Sequence, residues 1–291
     1  MKTLHRSAFD RAERYLALNA RLIDRLRFAR LFHGGPSRPI LEVLHGYQNP
    51  DGGFGNAIEP DLRGSASQPV PAWAAFQVLD EIDAFDDPCV ADACDWLEAT
   101  SNPDGGVPWV LPSVRDSERA PWWQPEGDPA PSSIIATGLI LGLLHLHGVE
   151  HPWVARATAY CWDHLSKTGE LGAYDALAVL AFLEGVPDRD RAETELERLS
   201  DSLLATVAFD PETPGHVHSP LDFAPNPDAL ARGLFADSDI DRQLDHLIAT
   251  QNDDGGWAPN FAMWTPVVAH EWGGHLTLAR LATLRAYGRI A

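Results

Sequence analysis

The sequence predicts an all-α protein in which residues 1–291 form a single domain, two concentric rings of helices closed into one α/α toroid. Three observations predict it. A helix–turn–helix segment recurs along the chain. The helices on the two sides of its turn differ in polarity. No alternating strand of convincing length occurs.

The recurring segments are LHGYQNPDGGFGN ending at Asn56, LEATSNPDGGVPW ending at Trp109 and LIATQNDDGGWAP ending at Pro259. Asp51 and Asp104 are 53 positions apart, and Asp254 follows Asp104 by 150, three periods of 50. Two degenerate copies are therefore expected between them, HLSKTGELGAY ending at Tyr174 and LLATVAFDPETPG ending at Gly215. Residues 107–131, rich in Pro and Trp, disturb the spacing and read as an insertion that folds over a cavity mouth. In each turn Gly supplies the left-handed conformation that ends a helix, Asn and Asp bond the turn backbone, and the residue after Gly-Gly packs on the preceding helix end.

Taken in order, the first helix is long and carries an apolar stripe of Leu4, Ala8, Tyr15, Leu18, Leu22 and Leu26. Helices follow at 38–48, 70–84, 88–100, 132–147, 152–166, 173–185, 188–207, 226–236, 237–250 and 265–287. Those after a turn are apolar nearly all round, as in SSIIATGLILGLLHL and YDALAVLAFL. Those before a turn are amphipathic, as in RAETELERLSDSLLATV. An all-round apolar helix must be buried and an amphipathic one has a wet side, so six inner and five outer helices are expected.

Composition narrows the function. Hydrophobic residues make up 45% and charged residues 22%, values that exclude disordered, collagenous and disulfide-scaffold classes. The net charge of −20 makes nucleic acid an unsuitable partner, because phosphate would be repelled. Residues 1–30 run the other way, with eight basic and three acidic side chains. They read either as a helix docked on an acidic body or as a weak membrane-surface contact. Cys89, Cys94 and Cys161 are sparse and odd in number, as in a reducing compartment. MKTLHRSAFD lacks the apolar core of a signal peptide, and the apolar run Ile134–Leu146 is too short to span a bilayer, so a cytoplasmic protein is expected.

Gln48-Asn49-Pro50-Asp51-Gly52-Gly53-Phe54 and Gln251-Asn252-Asp253-Asp254-Gly255-Gly256-Trp257, with Ser in place of Gln at Ser101–Val107, resemble the repeats of the terpenoid cyclase and protein prenyltransferase superfamily, those of prenyltransferases, squalene oxidase and squalene-hopene cyclase. The resemblance implies an (α/α)6 barrel whose hydrophobic cavity opens where the Gly-Gly turns lead into the inner helices. It thereby directs attention to Glu59, Asp61, Arg63, Trp109, Trp122, Trp123, Tyr174, Asp175, Trp257, Trp264, Glu271 and Trp272. Aromatic faces stabilise cations and suit apolar substrates, although several of these tryptophans could equally plug the barrel.

The motifs of the superfamily are incomplete. Squalene-hopene-type cyclases use an Asp-x-Asp-Asp acid, which is missing. Asp175 stands alone at the start of an inner helix, as an acid or as an N-terminal cap. The Asp-x-Cys letters of prenyltransferase zinc sites occur at Asp92-Ala93-Cys94, but before a turn, on an outer helix. His145 and His147 lie on opposite sides of a helix, and His270 to His275 is one residue too long for a His-Glu-x-x-His site. His216 and His218 are the remaining pair. No metal and no cofactor are expected. Glu59-Pro60-Asp61-Leu62-Arg63 is the most suggestive polar group, able to place an acid, bind a headgroup or pin its own loop. Glu271 lies between Trp264 and Trp272.

The function these residues predict is acid-initiated, metal-independent cyclisation or isomerisation of an apolar, isoprenoid small molecule. The catalytic candidates are Asp175, Glu59, Asp61 and Glu271. Arg63, Trp109, Trp122, Trp123, Tyr174, Trp257, Trp264 and Trp272 are expected to bind substrate. Two alternatives stay open: a carbohydrate-active α/α toroid with paired carboxylates, and a toroid that binds a small molecule without catalysis.

Overall fold

A computed structural model describes residues 1–291 as an all-helical chain: α1 (Arg6–Asn19), α2 (Leu22–His33), α3 (Arg38–His45), α4 (Pro69–Ile82), α5 (Pro88–Thr100), α6 (Ile134–Leu146), α7 (Pro152–Lys167), α8 (Ala173–Gly185), α9 (Arg189–Ala205), a single turn α10 (Pro220–Phe223), α11 (Asp237–Ala249) and α12 (Pro266–Ala286). Two short 3-10 turns, Pro112–Asp116 and Leu230–Leu234, complete it, and β structure is limited to isolated bridges. No helix is long and apolar enough to cross a membrane. The chain divides into two compact units, residues 37–203 and residues 1–36 with 204–291.

In the unit of residues 37–203, α4, α6 and α8 pack in succession, and α5 packs on α7. The first set is buried nearly all round, while α5 and α7 bury one stripe each. The two polarities predicted for inner and outer helices are therefore present. Helices α6 and α8 approach most closely because their facing residues are small. A Cβ on Gly138 would sit 2.7 Å from the Ala178 carbonyl oxygen, and Gly142 faces Ala181 in the same way one turn later.

In the other unit, α12 packs on both α1 and α2, and α10 packs on α11. The chain ends tie it together. Leu4 N donates to the Arg289 carbonyl at 2.7 Å, and the Arg289 guanidinium reaches Asp245 at 2.9 Å and Asp241. Met1 and Lys2 add their nitrogens to Asp245. Within residues 1–30, Arg6 pairs with Asp10, and Arg21 and Arg27 both pair with Asp24.

Two expectations are corrected. The long first helix breaks at Ala20 and Arg21, whose backbones are extended. Phe9, Ala12 and Leu16 are buried, while Leu18 is 71% and Leu22 50% exposed. Ala20 lies against Gly274 of α12, where a Cβ added to that glycine would fall 2.7 Å from the Ala20 Cβ. The helix expected at 226–236 is only the turn Leu230–Leu234, because Pro227 and Gly233 break the run.

The three turns have one geometry. Asp51, Asp104 and Asp254 each accept, through Oδ1, the amide of the second Gly at 3.0, 3.0 and 2.9 Å. Asn49, Asn102 and Asn252 each donate their backbone amide to that Gly's carbonyl. Gly52, Gly105 and Gly255 have φ of 88°, 93° and 95°, open to glycine at little cost. Each of these three presses on the backbone of an outer helix, at Asp92, Arg156 and Arg11. The second Gly lies under the ring four residues on: Trp96, Tyr160 and Tyr15. The repeat is thus a turn that clamps the next outer helix.

Candidate functional site

The loop after the first turn buries two carboxylates. Asn56 and Ala57 are left-handed, at φ 57° and 65°, a strained conformation for non-glycine residues that turns the chain inward. Glu59 is then 6% and Asp61 3% exposed, and the Asp61 amide donates to Glu59 Oε1 at 3.3 Å. Arg63 reaches the Pro60 carbonyl at 3.5 Å with its Nη1.

The insertion 107–131 is laced onto this loop. Ala120 N donates to the Asp61 carbonyl at 2.9 Å and Arg63 N to the Glu118 carbonyl at 3.0 Å, flanking the bridge between Leu62 and Arg119. Gln68 accepts from Leu111 N at 2.8 Å and donates to Ser113 Oγ at 2.9 Å. The Arg119 guanidinium gathers the carbonyls of Val114, Ser117 and Trp123, so the insertion is an ordered body rather than a slack loop. Trp109 and Trp123 stack with centroids 4.9 Å apart and planes at 16°. Trp123 is buried and its Nε1 has no acceptor, whereas Trp122 is 49% exposed. Glu59, Asp61, Arg63, Trp109 and Trp123 therefore share one laced assembly.

Asp175 stands apart from it. Its Oδ2 accepts the Gly172 amide at 3.3 Å and closes the first turn of α8. Tyr174 beside it is exposed. The nearby Tyr160 hydroxyl is pushed above its ordinary pKa by burial first, then by Cys161, Asp104 and Asp175. Tyr160, Asp104, Asp163, His164 and Lys167 line an open groove of about 560 Å³.

The remaining predicted residues lie in the unit that holds both chain ends. Trp257 is fully buried beneath its turn and donates Nε1 to the Leu247 carbonyl at 2.9 Å. Trp264 and Glu271 are half-buried. Trp272 meets Phe261 edge-on at 5.4 Å and His275 at 5.5 Å.

Next to this aromatic run is a charged group that sequence reasoning missed. Asp24 of α2 is fully buried and takes Arg21 Nε at 2.8 Å and Arg27 Nη1 at 3.0 Å. Burial alone would raise its pKa, but Arg21 and Arg27 outweigh burial and hold the carboxyl below its ordinary value. Asp24 is therefore a fixed anion, not a proton donor. His275 is held neutral, its pKa lowered to about 4 by burial and then by Arg27. No feature of the sequence singles out this group, because its members are charged letters on a helix whose buried face the sequence does not mark.

Two side-chain groups have donor atoms within 4.8 Å of one another: His45, Asp87 and Cys89, and Asp95, Glu98 and His151. Asp87 and His151 already cap α5 and α7, and burial raises the Cys89 thiol pKa, away from the thiolate that metals prefer.

A scan against protein-family models and a search of curated protein sequences found no match. Solved structures do match. A protein from Actinoplanes is similar over 97% of this chain and 99% of its own, with TM-score 0.60 and 16% identity. The type II terpene cyclase MstE from Scytonema, as a single-substitution variant in complex with its substrate geranylgeranyl dihydroxybenzoate, is similar over 97% and 96%, with TM-score 0.59 and 12% identity. Its apo form gives TM-score 0.58 and 14% identity over 97% of each chain. The chain thus has the all-α toroid fold seen in a terpene cyclase.

Proposed function

We propose that the protein is a terpenoid-cyclase-like enzyme that uses the Glu59–Asp61 pair to start acid-driven cyclisation or isomerisation of an apolar isoprenoid. The burial of both carboxylates a few residues after a Gly-Gly turn carries this reading. A carboxylic acid O–H gives its proton to an alkene carbon or an epoxide oxygen, leaving a carboxylate. The cation formed is sheltered by the Trp109–Trp123 stack. Loss of a proton from the last cation restores the acid. The chemistry needs no metal and no cofactor. Asp175 keeps a structural role, since its carboxylate accepts the Gly172 amide at the start of α8.

With geranylgeranyl dihydroxybenzoate as the probe, Asp61→Asn and Glu59→Gln are each expected to lower product formation by about 10²–10⁴-fold, the scale of general acid catalysis. Asp175→Asn is expected to leave it nearly unchanged. Absence of product with the unaltered protein, or turnover intact in both variants, overturns the reading.

The same reading gives the exposed Leu18 and Leu22 a purpose. They lie between Arg14 and Arg25, exposed arginines that form no ion pair, on a protein of net charge −20. This patch suits weak docking on an anionic lipid surface, a source of apolar substrate. Sedimentation with phosphatidylglycerol vesicles is expected to carry the protein down, and Leu18→Glu with Leu22→Glu to abolish that. Equal sedimentation of the double variant refutes the patch.

A further inference from the structure

The indole N–H of Trp272 is buried and has no acceptor. Indole nitrogen is a donor only, and a buried donor left without an acceptor carries its full desolvation cost. Buried donors nearly always have a partner in folded proteins, so an orphan requires an explanation.

Its surroundings supply one. Trp272 and His275 lie one turn apart on α12, rings at 85°, and Phe261 meets the indole edge-on at 86° from another direction. His216 lies 5.0 Å beyond Phe261. Phe261, Trp272 and His275 are half-buried and His216 is exposed, although the Trp272 N–H itself is covered. Two aromatic rings, Phe261 and His275, thus lie against the indole that carries the unused donor. His275, neutral at physiological pH, adds a second hydrogen-bonding group: a neutral imidazole carries one donor nitrogen and one acceptor nitrogen. Near it lies the Arg21–Asp24–Arg27 group, two guanidinia on one carboxylate, whose excess positive charge disfavours a cationic ligand.

We infer that Trp272 and His275 form a binding site for an uncharged oxygen function, a hydroxyl or carbonyl, carried by a mostly apolar ligand. Trp272 donates to that oxygen, and His275 donates to it or accepts from its hydroxyl, while Phe261 and the indole face pack on adjoining hydrocarbon. The inference rests on the reading that the protein takes an apolar small molecule, but it is independent of the Glu59–Asp61 acid.

Two probes with one carbon skeleton separate the contributions, farnesol with a hydroxyl and β-farnesene without. By titration calorimetry the unaltered protein is expected to bind farnesol about 10-fold more tightly, the equivalent of roughly 1.4 kcal/mol. Trp272→Phe keeps an aromatic ring while removing the N–H donor and part of the indole's apolar surface, a loss that both probes share. It is expected to erase the preference by weakening farnesol more than β-farnesene, until the two bind alike. A preference that survives in Trp272→Phe, or equal binding of the two probes by the unaltered protein, overturns the site and leaves the apolar-ligand reading standing. Failure of the unaltered protein to bind either probe overturns both.

Discussion

Asp24→Ala is expected to lower the unfolding free energy by about 3–5 kcal/mol, because removing one member of a buried ionic group strands the other. Asp24 is fully buried, and the truncation leaves Arg27 buried and Arg21 nearly so without their shared carboxylate. Urea denaturation at neutral pH measures the loss. Asp24→Leu with Arg27→Met, which removes charge on both sides, is expected to recover part of it. A loss below about 1 kcal/mol for Asp24→Ala refutes the ionic anchor.

The same group sets an acid limit. His275 titrates at about 4 in the folded protein against an ordinary 6.5, so below pH 6.5 the unfolded chain takes up the proton first. Stability is unaffected by His275 above pH 6.5 and falls as pH drops from 6.5 towards 4. The fall amounts to about 3 kcal/mol at most, from the size of the shift. Asp24, with its folded pKa depressed, adds stability above its unfolded value near 3.9 that is lost at still lower pH. His275→Gln is expected to flatten the slope between pH 4 and 6.5, and an unchanged slope assigns it to other groups.

Gly255→Ala is expected to destabilise the protein by about 2–5 kcal/mol, combining a left-handed penalty of about 1–2 kcal/mol with an overpacking cost of about 1–3 kcal/mol. Its Cβ would fall under 3.0 Å from the Arg11 backbone carbonyl, and backbone cannot swing aside as a flexible side chain can. Gly215 is the internal control. It has the same sign of φ, 92°, but open space where the Cβ would lie. Gly215→Ala is therefore expected to cost only the left-handed penalty. Thermal unfolding of the two variants compares them directly, and equal losses would show that the turn does not clamp α1.

Local and periodic features were legible in the amino-acid sequence alone. The Asn-x-Asp-Gly-Gly turns are short-range hydrogen-bonded units whose residue types dictate their shape, so three copies with one geometry could be expected at Asp51, Asp104 and Asp254. Likewise an all-round apolar stretch such as Ile134–Leu146 can only be a buried helix. The break at Ala20 was not readable in this way. No proline or glycine marks it, and the contact made there, Ala20 on Gly274, comes from about 250 residues away in the chain.

The candidate site divides along the same line. Glu59, Asp61 and Arg63 are neighbours in sequence, and their proximity followed from the loop alone. The lacing of that loop to residues 111–123, through Gln68 and the Leu62–Arg119 bridge, is non-local. So is the meeting of Asp24 and Arg27 on α2 with His275 on α12, since a helix's charged residues give no sign in one sequence of which face a distant helix will cover. Backbone turns and helix polarity are settled by interactions a few residues long. Which charges are buried, which indole lacks an acceptor and which leucines stay wet are settled by packing between segments far apart in the chain.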